Sequence, residues 1–548
     1  MTATGAAPVA APEHVRRGPI LAVILIGAFM ILLDGTIVNV ALVPIQRDLA
    51  AGYGAIEWAV GGYALAYGLL LIPSGRLADR FGHRRLLMTG LAGFTAMSAL
   101  CGLAVTPGQL VAVRVLQGVA AGVLNAPILA IIQAVFPPEK RGGAFAAYGA
   151  TAGVSTALGP IVGGLLITWD PGGLGWRSIF LINLPIGVAA LVATARVVPE
   201  SYGRGGRLDL PGVALVAGAV LLVTFPLVQG RESGWPWWTW ACLAAAVPVL
   251  AAFVVWERRL ARRGRDPLID MRLFGNRAFS AGVALSLVYF AAFIGLLFAL
   301  SVYLQAGLDR PVLAAGLTIT PFAVGTLLGS WASESLAERL GRRVLLVGAV
   351  LVGAGIGGVI AAARYAGPGM SAWHLLPGLL VGGVGSGFVI APNVGIVLSG
   401  VPWRDAGSAS GVLNTAQRVG QAIGVAVVGV ALFGAVGSAA PDAAAKAAVP
   451  LRAELAATGM GPARTAAAAD GFARCFALRS RAADPSSPVA GCPEATGHDP
   501  VARAYARAAA TARADAFTDA LQPAAACALG GIVLTFLLVF ALPRRTSA

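Results

Sequence analysis

Two ionisable side chains, Asp34 and Arg114, sit inside runs of otherwise apolar residues. A charged group placed mid-span costs ~2.5–3.5 kcal/mol on insertion scales and is a functional candidate by default. Asp34 lies eight residues from the far end of its run and Arg114 five residues into its own, with Gln117 one turn further on. At ~1.5 Å per residue these depths are roughly 12, 8 and 12 Å, so a long arginine can bridge the offset. Depth therefore allows an Asp34–Arg114 or Asp34–Gln117 contact, without placing the two spans side by side. Such a pair can take up and release a proton, or it can only lock two helices together, as polar groups between spans also do. Arg418 lies within a span as well, but away from that depth, and is expected to matter less.

A second cluster is basic and glycine-punctuated: Gly75-Arg76-Leu77-Ala78-Asp79-Arg80-Phe81-Gly82-His83-Arg84-Arg85. A weaker copy runs from Leu336 to Arg343, in which Glu338, Arg339, Gly341 and Arg343 match Asp79, Arg80, Gly82 and Arg84. Glycine permits a turn that a side chain would block. The carboxylate can face a helix N-terminus, and the arginines suit an anionic membrane interface. The leading glycine, Gly75, has Glu334 at its place in the copy, so the two turns are not expected to act alike.

These residues must be positioned by long apolar elements. The 548-residue chain is 57% hydrophobic and 12% charged, with mean hydropathy +0.79. Runs of about twenty apolar residues recur along it, too long and continuous for barrel strands, so the fold expected is an all-α polytopic membrane protein. The net charge of +15 would suggest nucleic acid in a soluble protein, but here it sits mainly in loops, and no nucleic-acid partner is expected. Five cysteines without CxxC or Cys/His spacing indicate no metal site.

Fourteen spans are predicted in a 6+2+6 order. Residues 1–18 form a tail, 19–198 the first six spans, and 199–277 two extra spans with a basic linker. Residues 278–542 form the second six with a long loop, 436–521, and 543–548 a closing tail. On one side the short loops carry only Arg47, Arg177, Arg231, Arg310 and Arg364, whereas segment 257–277 on the other side alone carries seven arginines. Short-loop charge sets orientation, so both termini and both basic turns are expected in the cytoplasm, with the chain in the cell membrane. Loop 436–521 would then face outward, its stretch 500–520 helical and the rest mobile. It holds Cys475 and Cys492, which either form a disulfide in that oxidising compartment or remain two thiols. Trp235, Trp237, Trp238 and Trp240 are expected in an outer interfacial belt.

The basic turn resembles the motif A loop between spans 2 and 3 of the major facilitator superfamily. Arg114-Val115-Leu116-Gln117-Gly118 with Gly122 resembles motif B, and Gly149, Gly153 and Gly159-Pro160-Ile161-Val162-Gly163-Gly164 resemble motif C of antiporters. The stretches from Leu33 to Leu42 and from Trp176 to Pro185 are similar to parts of the fourteen-span drug:proton antiporter family. The resemblance implies two pseudo-symmetric six-helix halves with a cavity between them, lined by spans 1 and 4 among others. Read physically, the motif C glycines recur at intervals near four and give one smooth face, with Pro160 introducing a kink.

The function this implies is proton-coupled export of lipophilic small molecules, drugs or antibiotics, cations among them, by alternating access. Asp34 and Arg114 are the expected proton-coupling residues. Candidate substrate contacts are Asp34, Asn39, Glu57 at the outer mouth, Trp58, Tyr63, Tyr67, Gln117, Asn125, Tyr289 and Phe293, since aromatic faces attract cations. Gly75, Asp79, Arg80, Gly82, Arg84, Gly153, Gly159, Pro160, Gly163, Glu338 and Arg339 are candidate conformational residues. Asp79 is expected to meet the opposite half when the cytoplasmic side closes. The partners are substrate, protons and membrane lipid; the chain acts as a monomer, with no cofactor beyond the coupling proton. Rival readings are an exporter of an endogenous lipid, siderophore or secondary metabolite, and a non-transporting scaffold or sensor. No nucleophile–base set or phosphate loop points to an enzyme.

Overall fold

In lipid every backbone N–H and C=O must be satisfied within its own segment, so apolar runs of this length fold as helices. The computed structural model describes residues 17–203, 208–265, 267–399, 401, 406–481, 492 and 500–543, and holds fourteen helices long and apolar enough to span a bilayer. The first six are α1 (Arg17–Leu49), α2 (Tyr53–Phe81), α3 (His83–Gly102), α4 (Pro107–Val135), α5 (Pro138–Trp169) and α6 (Gly175–Val197). Two extra spans follow, α7 (Leu210–Glu232) and α8 (Trp237–Arg262). The second set is α9 (Arg277–Gly307), α10 (Val312–Leu340), α11 (Arg343–Ala366), α12 (Ala372–Ser399) and α13 (Ala406–Ala457), then, after α14 (Pro462–Arg481), α15 (Pro500–Ala541). The described residues contain no strand.

Local signals set several boundaries. Thr106 caps α4 by accepting from Gln109 N at 3.2 Å, with Pro107 at the first helical position, where its missing N–H costs nothing. Asn276 caps α9 through Ala278 N. Between α2 and α3 the chain reverses at Gly82, with φ +103°, and the equivalent Gly341 has φ +54°, so both copies of the basic turn use a glycine in the left-handed region.

The packing repeats. In the first set α1 lies on α5 and α6, α2 on α4, and α3 on α4 and α6; in the second α9 lies on α13 and α15, α10 on α12, and α11 on α12 and α15. The two sets meet where α2 packs on α13 and α5 packs on α10. The extra pair covers one of these seams, since α7 contacts both α2 and α13. We call the end of the bundle that carries both described termini basal and the opposite end distal.

Segment 436–521 differs from expectation. Its described residues are mostly helical: α13 continues unbroken through Pro441 and Pro450 to Ala457, and α15 begins at Pro500, as the expected helix over 500–520 requires. Residues 482–491 and 493–499 lie outside the described residues. At ~1.5 Å per residue α13 is ~78 Å long, far more than a ~30 Å hydrocarbon core, so it projects well beyond the distal end. There α13, α14 and α15 share a small core of Leu451, Leu455, Phe472 and alanines such as Ala508, braced by an Arg452–Asp470 ion pair and the Cys475–Cys492 disulfide. Alanine-rich helices pack closely enough to bury a core that single-residue hydropathy understates. Trp237 and Trp240 are largely exposed on α8, as an interfacial belt requires.

Candidate functional site

Asp34 and Arg114 meet in the interior of the first six helices. Arg114 Nη1 donates to Asp34 Oδ2 at 2.5 Å and to Gln117 Oε1 at 2.7 Å, while Gln117 Nε2 donates to Asp34 Oδ1 at 3.0 Å. Both contacts that helical depth allows are therefore made. Arg114 Nε also donates to Ala59 O at 3.0 Å, and its guanidinium lies 4.1 Å from the centre of the Tyr63 ring. The network reaches further than the sequence suggested. Ser98 Oγ accepts from Gln117 Nε2 at 3.2 Å and from Asn183 Nδ2 at 2.9 Å, and donates to Phe180 O at 3.0 Å. It thus ties α1, α2, α3, α4 and α6 together. Ser98 and Asn183 carried no signal, being common small polar residues in apolar runs.

Beside this network, between the two halves, lies a cavity of about 1860 Å³. Its wall runs from Asn39, Pro160 and Ile319 to Arg339, Arg342, Arg343 and Phe540, so it opens at the basal end. The distal end is closed. A Cβ on Gly164 would fall 2.7 Å from Leu313 Cα, and one on Gly316 would fall 2.5 Å from Pro160 O, so α5 and α10 touch backbone to backbone. Ser301 Oγ donates to Asn39 O at 2.5 Å, and Arg47 pairs with Asp309 at 2.8 Å.

The structure sorts the expected residues. Asn39, Tyr63, Tyr67 and Phe293 are on the wall. Asp34 and Gln117 are fully buried behind it, with the Tyr63 ring between Arg114 and the cavity. Several expected wall residues are elsewhere. Glu57 is buried in the α2–α13 seam against Gly429, because that glycine leaves room for its carboxyl, and does not line an outer mouth. Trp58 packs on Phe225 of α7. Asn125 is buried and accepts from Tyr148 OH, so Tyr148 holds the wall position. Tyr289 is buried against Ser386, leaving the wall to Phe290 and Phe293.

The motif C glycines serve two neighbours and not one. Gly159 and Gly163 admit Thr36 and Val40 of α1, whereas Gly153 and Gly164 admit Leu327 and Leu313 of α10, because a helix wedged between two partners needs small residues on both faces. Pro160 lies at the α10 contact. The basic turn is clasped by its own half. Asp79 Oδ1 is 3.2 Å from His83 Nε2, Gly203 N donates to Asp79 O, and Arg84 N donates to Glu200 Oε1 at 2.9 Å. Arg76 donates to Pro267 O in the linker. Gly75 has open space around it and Arg80 lies over the Phe81 ring. In the second copy Arg339 is exposed at the cavity mouth, and the side chain of Glu338 lies outside the described residues.

The most consequential omission from the sequence reading is on α13. Asn414, Gln417, Arg418 and Gln421 fall at i, i+3, i+4 and i+7 and form one polar stripe on the wall. That spacing was available as a signal. Depth alone ranks Arg418 low, yet its guanidinium lies 4.5 Å from the centre of the Tyr67 ring. No Asp or Glu is among the described residues that line the cavity, so a cationic cargo would meet no carboxylate from them.

Comparison with known proteins agrees with this architecture. A sequence model of the Major Facilitator Superfamily matches residues 24–425. The chain is 37% identical over 537 residues to a "Probable actinorhodin transporter" of Streptomyces coelicolor, covering 97% of this chain and 93% of that one. It is 34% identical to the tetracenomycin C resistance and export protein of Streptomyces glaucescens, covering 79% of each. Among solved structures it is similar to a bacterial homologue of the human lysosomal transporter Spinster in an inward-facing conformation, with TM-score 0.62 and 15% identity, covering 97% of this chain and 98% of that one.

Proposed function

We propose a proton-coupled export cycle for this chain, which belongs to the Major Facilitator Superfamily and so to a family of transporters and not of enzymes. The cargo is a lipophilic antibiotic or related secondary metabolite, a class supported by the export roles of the two Streptomyces relatives. The observation that carries the reading is the Asp34–Arg114 pair, buried one aromatic ring away from a cavity that is open at one end and shut at the other.

The chemistry follows from that placement. Ionised Asp34 holds Arg114 and Gln117. A proton arriving at Asp34 turns the carboxylate into a neutral acid and removes the charge that Arg114 opposes. The freed guanidinium then presses on Tyr63, and through it on the cavity wall. Cargo entering against Tyr63 acts in the reverse sense. Each ligand shifts the equilibrium between basal-open and distal-open states by its differential affinity for them. The α5–α10 and α2–α13 seams are where the halves rock, and the glycines at both allow sliding without side-chain collision. Positive charge in the basal loops supports a cytoplasmic basal end, which makes this conformation inward-facing in the cell membrane. A proton entering down ~100 mV then supplies about 2.3 kcal/mol per cycle. Asp79, bonded within its own half here, is assigned to a latch that engages the second half when the basal end closes.

The test is flux of a fluorescent lipophilic compound in proteoliposomes under an imposed pH gradient. Asp34→Asn keeps the shape of the pair and removes the titratable charge, and it should abolish pH-driven efflux while the protein still inserts. Undiminished pH-driven efflux by that variant would exclude Asp34 as the coupling group.

A further inference from the structure

The described residues on the wall of the cavity carry one sign of charge. Arg418 stands in its middle, twelve residues into α13, or ~18 Å along the axis from the basal start of that helix. Arg339, Arg342 and Arg343 stand at its mouth. Arginines inside spans pair with other charges or backbone carbonyls, or face a water-filled cavity, and they mark substrate and ion pathways. Among the described residues Arg418 has no carboxylate within ion-pair distance. Asp34, a buried acid of the first half, is already held by Arg114 behind Tyr63. The contacts of Arg418 are the Tyr67 ring at 4.5 Å and Gln421 Oε1 at 3.2 Å.

The position is built. Gly68 of α2 has no side chain where a Cβ would fall 2.6 Å from Arg418 Cβ, and Thr415 Oγ1 donates to Gly68 O at 2.9 Å, so α2 and α13 clamp the stem of the arginine. The arginine is thereby held on the cavity wall, and its planar fork matches a carboxylate or another oxyanion. Around it the walls are aromatic. Tyr63 and Tyr67 stand on one half, and Phe293 and Phe322 on the other, the last two stacked with centroids 5.0 Å apart. Flat faces of this kind suit fused ring systems.

We infer that Arg418, with Gln417 and Gln421 beside it, is a subsite for an anionic group of the cargo, and that the transported molecule is an aromatic acid and not a cation. This rests on the transport reading above and deepens it. A cation beside Arg418 would meet that arginine with no described carboxylate to offset it, and such like-charge juxtaposition is how a site excludes the wrong ligand.

The experiment uses the full chain in phosphatidylcholine nanodiscs, so that no anionic lipid headgroup competes. Three probes are titrated by quenching of tryptophan fluorescence: anthraquinone-2-carboxylate, its methyl ester, and a trimethylammonium analogue. A charge-assisted contact is worth about tenfold or more in affinity, so the acid should bind about tenfold tighter than the ester, with the cation weakest. Arg418→Gln should erase the acid-to-ester ratio and Arg418→Lys should keep part of it. Gln421→Glu supplies the carboxylate that the described wall residues lack and should also erase the ratio, so the test survives if Arg418→Gln does not fold. An acid bound no tighter than the ester in the unmodified chain, absence of binding included, would overturn the proposal, as would a ratio indifferent to both substitutions. The binding ratio needs no proton gradient. Preferential acid binding without pH-driven flux would uphold the subsite and defeat the coupled cycle; pH-driven flux of the ester with no acid preference would do the opposite.

Discussion

Arg114 and Arg418 are arginines set deep within spans, and their surroundings are opposite. Arg114 is fully buried, bonded to Asp34, Gln117 and the Ala59 carbonyl, and roofed by an aromatic ring. Arg418 is half-buried on a cavity wall, against a single ring and an amide. The first is part of a closed network whose value lies in being complete; the second is incomplete without something from the cavity. A buried charge that is satisfied within the protein stores a state, and one that is not selects a ligand. The same division runs through the rest of the molecule, between interior groups that lock helices together and wall groups that do not.

The largest effect should come from opening the closed network. Arg114→Leu leaves Asp34 buried without its counter-charge and should cost ~3–5 kcal/mol, whereas removing both charges in Asp34→Asn/Arg114→Leu should recover much of that loss. Arg418→Gln should cost the ring contact and the bond to Gln421, together ~1–2 kcal/mol. Thermal unfolding in detergent reads all three, and equal losses at the two arginines would erase the contrast. The glycines of α5 extend it. Gly159→Ala drives a methyl into Thr36 and the Ile37 backbone and should cost ~1–3 kcal/mol, while Gly149→Ala, which faces open space on the wall, should change melting little. A Gly149 variant as unstable as the Gly159 one would show that the basal half of α5 is closely packed too.

Tyr63 stands on the boundary between the two environments. Tyr63→Phe loses only the bond to Ile31 O and should cost about 1 kcal/mol with coupling retained. Tyr63→Ala also removes the ring over Arg114 and should let protons leak without cargo, measured as pH dissipation in empty-lumen proteoliposomes. A tight Tyr63→Ala variant would mean that the ring is not the partition. The smallest change in stability should follow Asp79→Asn, whose partly exposed contact with His83 is worth ~0–1 kcal/mol. Its signature should be kinetic: slower transport and more labelling of cysteines placed in the basal vestibule. Loss of insertion with unchanged labelling would instead assign Asp79 to folding of the turn.

Much of this was legible in the chain itself. Long apolar runs can satisfy their backbone in lipid only as helices, so the number of spans and the fourteen-helix architecture follow from hydropathy. Asp34 and Arg114 stand out because charge in such runs is costly; their depths are close enough for an arginine to bridge, and the adjacency of their spans came from the family resemblance. Glycine at the repeated turn announces a reversal that only a left-handed backbone makes, and Gly82 and Gly341 both make it. Tertiary structure alone decided which way each face points. Depth along a helix is one-dimensional, but whether Trp58, Tyr289 or Glu57 faces a cavity depends on rotation against neighbours that hydropathy does not rank. For the same reason Arg418 was undervalued: its depth was read, but the stripe it shares with Asn414, Gln417 and Gln421 gains meaning only once α2 and α13 are clamped at Gly68. The distal projection was missed because alanine carries little hydropathy, and three alanine-rich helices bury a core only through one another.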